Sequence, residues 1–159
     1  MKSLAENFKL VSGVNNQTTN GGVDSDYVCL KNVNKLFVVV LLDQAVGHAT
    51  AIAPYQASDV AATGAKVLTN VTRILANEAT TVTDTLVAQT AAKNYSVTAD
   101  IAEKMIVFEI DPATLDTANN FDCVKINIAD SSQATNFATV LFVADMKYKQ
   151  ATPPTIITD

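Results

Sequence analysis

A chain of 159 residues with 48% hydrophobic and 17% charged side chains holds enough apolar material for one domain's core, with no metal or disulfide needed to build it. Its net charge of −5 and eleven scattered Lys and Arg argue against nucleic-acid binding, which depends on clustered positive charge. The absence of Trp leaves few stacking platforms, and the longest apolar run, seven residues over 36–42, falls far short of a membrane span.

The first ten residues carry a weak apolar pattern (Leu4, Phe8, Leu10) compatible with a short helix or an extended arm. They include an early acid and no apolar segment, so no export signal is expected. Residues 11–26 are rich in Gly, Asn, Ser and Thr, whose side chains compete for backbone hydrogen bonds, and they read as loop. Residues 1–26 are therefore expected to form an N-terminal arm and loop, ahead of a β-sandwich domain over 27–149 and an extended tail over 150–159.

Within the domain, residues 27–31 predict a short strand and residues 35–43 the strongest one. Leu36, Val38, Val40 and Leu42 share one face of that strand, but Phe37, Val39 and Leu41 make the other face apolar too. Residues 137–146 repeat the doubling, with Phe137, Leu141 and Val143 opposite Ala138, Val140, Phe142 and Ala144. An ordinary sandwich strand has one dry and one wet face, so two dry faces imply a covering loop, a third layer or another subunit.

Between these strands, residues 49–56 predict a strand whose Pro54 cannot donate to a ladder, which places it at an edge or bulge. Residues 67–75 alternate as a half-exposed strand, and 86–91 and 95–98 are weak strands beyond a Thr-rich loop. The region from Glu103 to Met146 is the organising stretch. It predicts a strand from Lys104 to Ile110, a short helix near Pro112–Ala118 behind an Asp111 N-cap, then strands over 121–128 and 137–144 separated by an Asp130 turn. The fold class expected is all-β, a β-sandwich or jelly-roll-like domain with one short helix and extended terminal segments. Two prolines extend the tail, and Ile156 and Ile157 call for cover from this subunit or a neighbour. Deleting residues 153–159 is accordingly expected to weaken assembly more than the fold.

Motifs for chemistry are sparse. His48 is the only histidine, which leaves no two-histidine metal site, and no serine stands in a nucleophile elbow. Asp24 and Asp26 have the i, i+2 spacing of shared cation ligands, but the remaining oxygens of a calcium loop are missing, so a polar turn is expected. Asp111, Asp116 and Asp122 bracket the predicted helix without a nucleophile beside them. Cys29 and Cys123 fall in predicted strands; they can pair if those strands are neighbours, and otherwise stand as buried thiols. No enzymatic activity, cofactor or metal is expected.

Several stretches resemble a group of small, β-rich virion proteins of tailed bacteriophages and prophages. They are Asp26-Tyr-Val-Cys-Leu-Lys-Asn32, residues 44–50 through 63–66, Phe108-Glu-Ile-Asp-Pro-Ala113, Phe121-Asp-Cys123, residues 129–136 and Gln150-Ala-Thr-Pro-Pro154. The resemblance covers most of the chain beyond Asp26 and consists of fold and turn signatures. It implies a capsid decoration or cement protein, made in the host cytoplasm and carried on the capsid exterior. Its partners would be the major capsid protein and itself, as a homo-oligomer and most plausibly a trimer, with neither nucleic acid nor membrane. The residues expected to make oligomer or capsid contacts are Phe37, Val39, Leu41, Phe142, Ile156 and Ile157. A carbohydrate- or cell-surface-binding β-sandwich, as a head fibre or tail component, is the alternative. That reading calls for exposed Trp or Tyr beside Asp and Asn, whereas Tyr27, Tyr55, Tyr95 and Tyr148 are dispersed.

Overall fold

Runs of β-branched and aromatic residues recur along this chain. The computed structural model, which describes residues 4–149 and 151–158, pairs them into two antiparallel sheets. The large sheet has the order β1 (Phe8–Thr18), β12 (Asn136–Met146), β4 (Val33–Gln44), β10 (Glu103–Ile110), β7 (Arg73–Asn77) and β8 (Val87–Ala88). In the small sheet, β2 (Val23–Asp24) and β3 (Val28–Cys29) lie one after the other along one edge of β11 (Cys123–Ile128). β11 pairs in turn with β5 (Ala51–Ala57), whose far edge carries β6 (Lys66–Val67) and β9 (Tyr95–Ser96). A β-sandwich with one short helix, α1 (Leu4–Asn7), is thus what the described residues form.

Register decides which apolar set faces the core. On β4, Leu36, Val38, Val40 and Leu42 stand opposite Ala144, Phe142, Val140 and Ala138 of β12 and Ile110, Phe108, Ile106 and Lys104 of β10. Residues opposed across an antiparallel pair share a face, and all of these are buried. They meet Val124, Ile126 and Ile128 of β11 and Ile52 of β5 in one continuous core. Each fully buried aliphatic or aromatic side chain contributes roughly 1.5–3 kcal/mol.

Three local expectations are corrected, and a fourth holds. Residues 11–18 are not loop: they continue β1, which runs beside β12 with register shifts around Gly13 and Asn15–Asn16. The bulges absorb the turn-forming residues, and Asn16 takes a positive φ of 45° there. The helix expected near Pro112–Ala118 is two 3-10 turns, Pro112–Thr114 and Thr117–Asn119. Asp111 does cap the first of them, accepting from Ala113, but Leu115 adopts extended backbone and buries its side chain in the core, which interrupts the helix. The alternation of 67–75 belongs to two strands: Val67 pairs with Tyr55 in the small sheet, while Arg73–Asn77 pairs with β10 in the large one. The segment between them crosses from sheet to sheet, burying Leu68. Pro54 lies where expected, for its carbonyl accepts from Leu68 on the interrupted outer edge of β5, so its missing N–H costs no ladder bond.

The tail folds back on its own chain. The Ile156 carbonyl accepts from the Cys29 amide on the free side of β3, and the Ile156 side chain is buried in the core.

Candidate functional site

The second apolar set of each central strand lies on the outer face of the large sheet, and no third layer among the described residues covers it. Its first row runs Leu10, Val143 and Phe37, and ends in Glu109 and Arg73; the next runs Ser12, Leu141, Val39, Val107 and Leu75; the third contains Thr139, Leu41 and Met105. Leu10, Leu41 and Leu141 are 46%, 42% and 37% exposed, and Phe37, Val39, Met105 and Val143 are half-buried by their neighbours alone. Strands about 4.8 Å apart and same-face rows about 6.8 Å apart make this field on the order of 400–500 Å². Patches of that size on monomers are commonly functional, and a standard interface takes about 800 Å² per partner.

Charge frames the field at both ends. At one end Lys35 and Arg73 both pair with Glu109, at 3.5 and 3.1 Å. At the other, Asp43 and Glu103 stand directly opposite each other beside Phe137, bordering a depression of about 170 Å³ closed by Asn16 and Thr80.

Of the residues singled out from sequence, the structure brings Phe37, Val39 and Leu41 together in this field. Phe142 is not among them. It stands opposite Val38 on the inward parity, fully buried in the core and out of a partner's reach. Ile156 is likewise turned into the core of its own chain, while Ile157 remains 45% exposed beside it. Leu10, Leu141, Val143 and Met105 are the additional members of the field. The sequence signal for Leu141 and Val143 was their alternation with Phe142; for Leu10 there was none until β1 was known to pair with β12.

The polar residues considered for chemistry are mostly engaged in structure. His48 lies two residues from Thr50, its Nδ1 3.3 Å from the hydroxyl, and its carbonyl accepts from Gln44. Burial raises the Asp24 carboxyl, but hydrogen bonds from Lys125 and Asn127 outweigh that and hold it below the usual range. Asp116 binds Lys66 and Asn119, and Asp130 accepts from Gly21 and Ser132, which ties the β1–β2 turn to the turn before β12.

A cleft of about 570 Å³ opens where residues 77–100 wrap the sandwich end, lined by Ala76, Val87 and Tyr95 as well as Asn77, Glu78 and Asp100. Beneath it Lys104 is wholly buried. Its ammonium donates to the Thr98 carbonyl at 2.7 Å, the Thr98 hydroxyl at 3.0 Å and Glu78 at 3.5 Å. Tyr95 and Thr98 also donate to Glu78. Burial pulls the Glu78 carboxyl up, but these donors and Lys104 outweigh it and keep the group below its usual range. Tyr95 is pushed well above its usual value by burial and by Glu78. The cleft's acid and its tyrosine hydroxyl thus serve each other, which suits a structural clasp better than ligand recognition.

The chain matches no protein-family model and no curated protein. Among solved structures it is similar to the crystal structure of SPBc2 prophage-derived protein YomS, with a TM-score of 0.49 and 11% sequence identity over 86% of this chain and 91% of that one. A likeness this distant carries no functional argument.

Proposed function

We propose that this chain is a structural protein of a bacteriophage virion, a decoration or cement protein that binds the outside of the major capsid shell and associates with copies of itself. The observation that carries the reading is the exposed apolar field on the large sheet, with Leu10, Leu41 and Leu141 at its surface. Covering it removes apolar area from water at roughly 25 cal/mol per Å², a gain open only to an assembled form. A protein that binds the assembled shell and not its parts shifts the equilibrium away from disassembly. The resemblance of its strand and turn sequences to phage decoration proteins supports the same role and is the source of the trimer number.

The test pairs light scattering with co-sedimentation on capsid shells of the phage or prophage that encodes the chain, prepared without it. The expected result is self-association or shell binding that Leu41→Asp with Leu141→Asp abolishes, with the circular dichroism unchanged. A wild-type protein that stays monomeric at high concentration and ignores such shells would refute the reading.

A further inference from the structure

Cys29 and Cys123 are direct cross-strand partners on β3 and β11. The Leu30 amide donates to the Asp122 carbonyl, which marks this as a pair whose own amides do not bond to each other. Such pairs bring Cα atoms to about 4.5 Å, within the range a disulfide spans. Both side chains point to the outer face of the small sheet, into a minor core with Tyr27, Ala57 and Val60. Both are reduced. The two sulfurs and an oxygen of Asp122 all lie within 4.8 Å of one another, and the Cys123 thiol donates to Asp122 at 3.2 Å.

We propose that this pair is a modification site, a thiol couple built to close into a cross-strand disulfide by exchange with a small external disulfide. Access is from the Cys29 side. Cys29 borders a cavity of about 180 Å³ between β3 and the tail, lined also by Lys31, Pro154 and Ile156, whereas Cys123 has no exposed surface. In the first step the Cys29 thiolate attacks one sulfur of the external disulfide. That bond breaks, one external thiolate leaves and takes a proton, and Cys29 holds the other half as a mixed disulfide. In the second, Cys123 passes its proton to the Asp122 carboxylate and attacks the Cys29 sulfur, and the second external group leaves as a thiolate that takes that proton from Asp122. Two protein thiols are oxidised and one external disulfide is reduced to two thiols, so atoms and electrons balance.

Contact with Cys29, burial and the neighbouring Asp122 all push the Cys123 thiol well above its usual range. Exchange is therefore slow, and the pair stays reduced in a reducing cytosol and closes on longer exposure to an oxidising exterior. The link would close a long loop, from β3 to β11, which is the case in which a disulfide most constrains the unfolded chain.

The experiment uses the full chain, purified under reductant, desalted and incubated with oxidised glutathione. Alkylation after acid quenching and unfolding, read by intact mass, should then show a chain two hydrogens lighter that takes up no alkylating label. A single Cys29–Cys123 cross-linked peptide should appear, and Tm should rise by roughly 5–10 °C. Cys123→Ser should instead retain one glutathione on Cys29. Two alkylated thiols after oxidation of the folded protein, under conditions that link the unfolded chain, would overturn the proposal. So would stoichiometric zinc that survives desalting and blocks the exchange, because the cluster would then be a metal site.

Discussion

Lys104 presents the sharpest test of the fold's electrostatics. Its side chain is 0% exposed, and Glu78, at 3.5 Å, is 21% exposed. At that separation, with the effective dielectric of about 20 suited to partly wet sites, their attraction is roughly 5 kcal/mol before desolvation is charged against it. Glu78→Gln leaves the cation buried with only Thr98 to meet it, and should cost about 3–5 kcal/mol. Lys104→Met should cost less, about 1–2 kcal/mol, because Glu78 keeps its bonds from Tyr95 and Thr98 and some contact with water. The double variant should then be more stable than Glu78→Gln alone, with a coupling energy of about 2–3 kcal/mol. Urea unfolding followed by circular dichroism resolves this, since a slope near 2 kcal/mol per M turns 4 kcal/mol into a midpoint shift of about 2 M. Equal single costs that add within about 0.5 kcal/mol would show that Lys104 is not held by Glu78, and the clasp argument would fail.

Phe142→Ala should lose about 3–5 kcal/mol in the same assay, with no separate effect on association, since the ring is wholly inside. Gly13→Ala should cost about 1–3 kcal/mol, because its Cβ would stand 2.5 Å from Cε2 of Phe142 and 3.1 Å from Cβ of Ser25; Phe142→Leu in the same chain should relieve part of that. Removing residues 153–158 should now destabilise the fold itself by about 3 kcal/mol, through Ile156 and the uncovered Cys29 amide, contrary to the sequence expectation that assembly would suffer first. Glu78 and Asp24 are both held below their unfolded values. Their stabilisation is complete above the unfolded values and is lost as pH falls through the folded ones, so the urea midpoint should be flat above about pH 5 and drop below about pH 4.

The central strands were legible because their periodicity is local. Residues 35–43, 104–110 and 137–144 alternate whatever they pair with, and β4, β10 and β12 extend those ranges by only a few residues. Which apolar set turns inward was not legible. Phe37, Val39 and Leu41 are as hydrophobic as their alternates, and only the register between β4, β10 and β12 decides. That is why Phe142 was grouped with contact residues although it belongs with Ala138, Val140 and Ala144. One clue is local: Lys104 shares parity with Ile106, Phe108 and Ile110, and a lysine on the core parity of a strand needs a buried partner. Glu78, 26 residues earlier in a loop, could not be named as that partner. β1 was hidden for the opposite reason. Its Asn- and Gly-rich half has poor strand propensity, and pairing to β12 overrides it by placing bulges where those residues fall. The cysteine pair was half legible, since both positions were placed in strands, but adjacency is a property of topology.

Asp43 and Glu103 bear on what kind of surface the apolar field fits. They stand directly opposite each other on β4 and β10, exposed, where like charges repel by some tenths of a kcal/mol up to about 1. The opposite end of the field has no such excess, because Lys35 and Arg73 are matched by Glu109 and by Asp145, which stands opposite Lys35. The face is thus apolar in the middle, acidic at one end and balanced at the other. An apolar field supplies affinity without direction, whereas the acidic end gives the face a polarity along the strands. A second copy stacked with its strands in the same direction would gather four carboxylates at one end. Stacked in the opposite direction, it would set those carboxylates beside the exposed Lys35 and Arg73 of the other copy, with no like-charge conflict. A shell surface with an apolar centre and basic groups along one rim avoids the like-charge conflict as well. Under the proposed role, the acidic pair therefore sets the direction in which a second copy can stack and selects a shell surface with a basic rim.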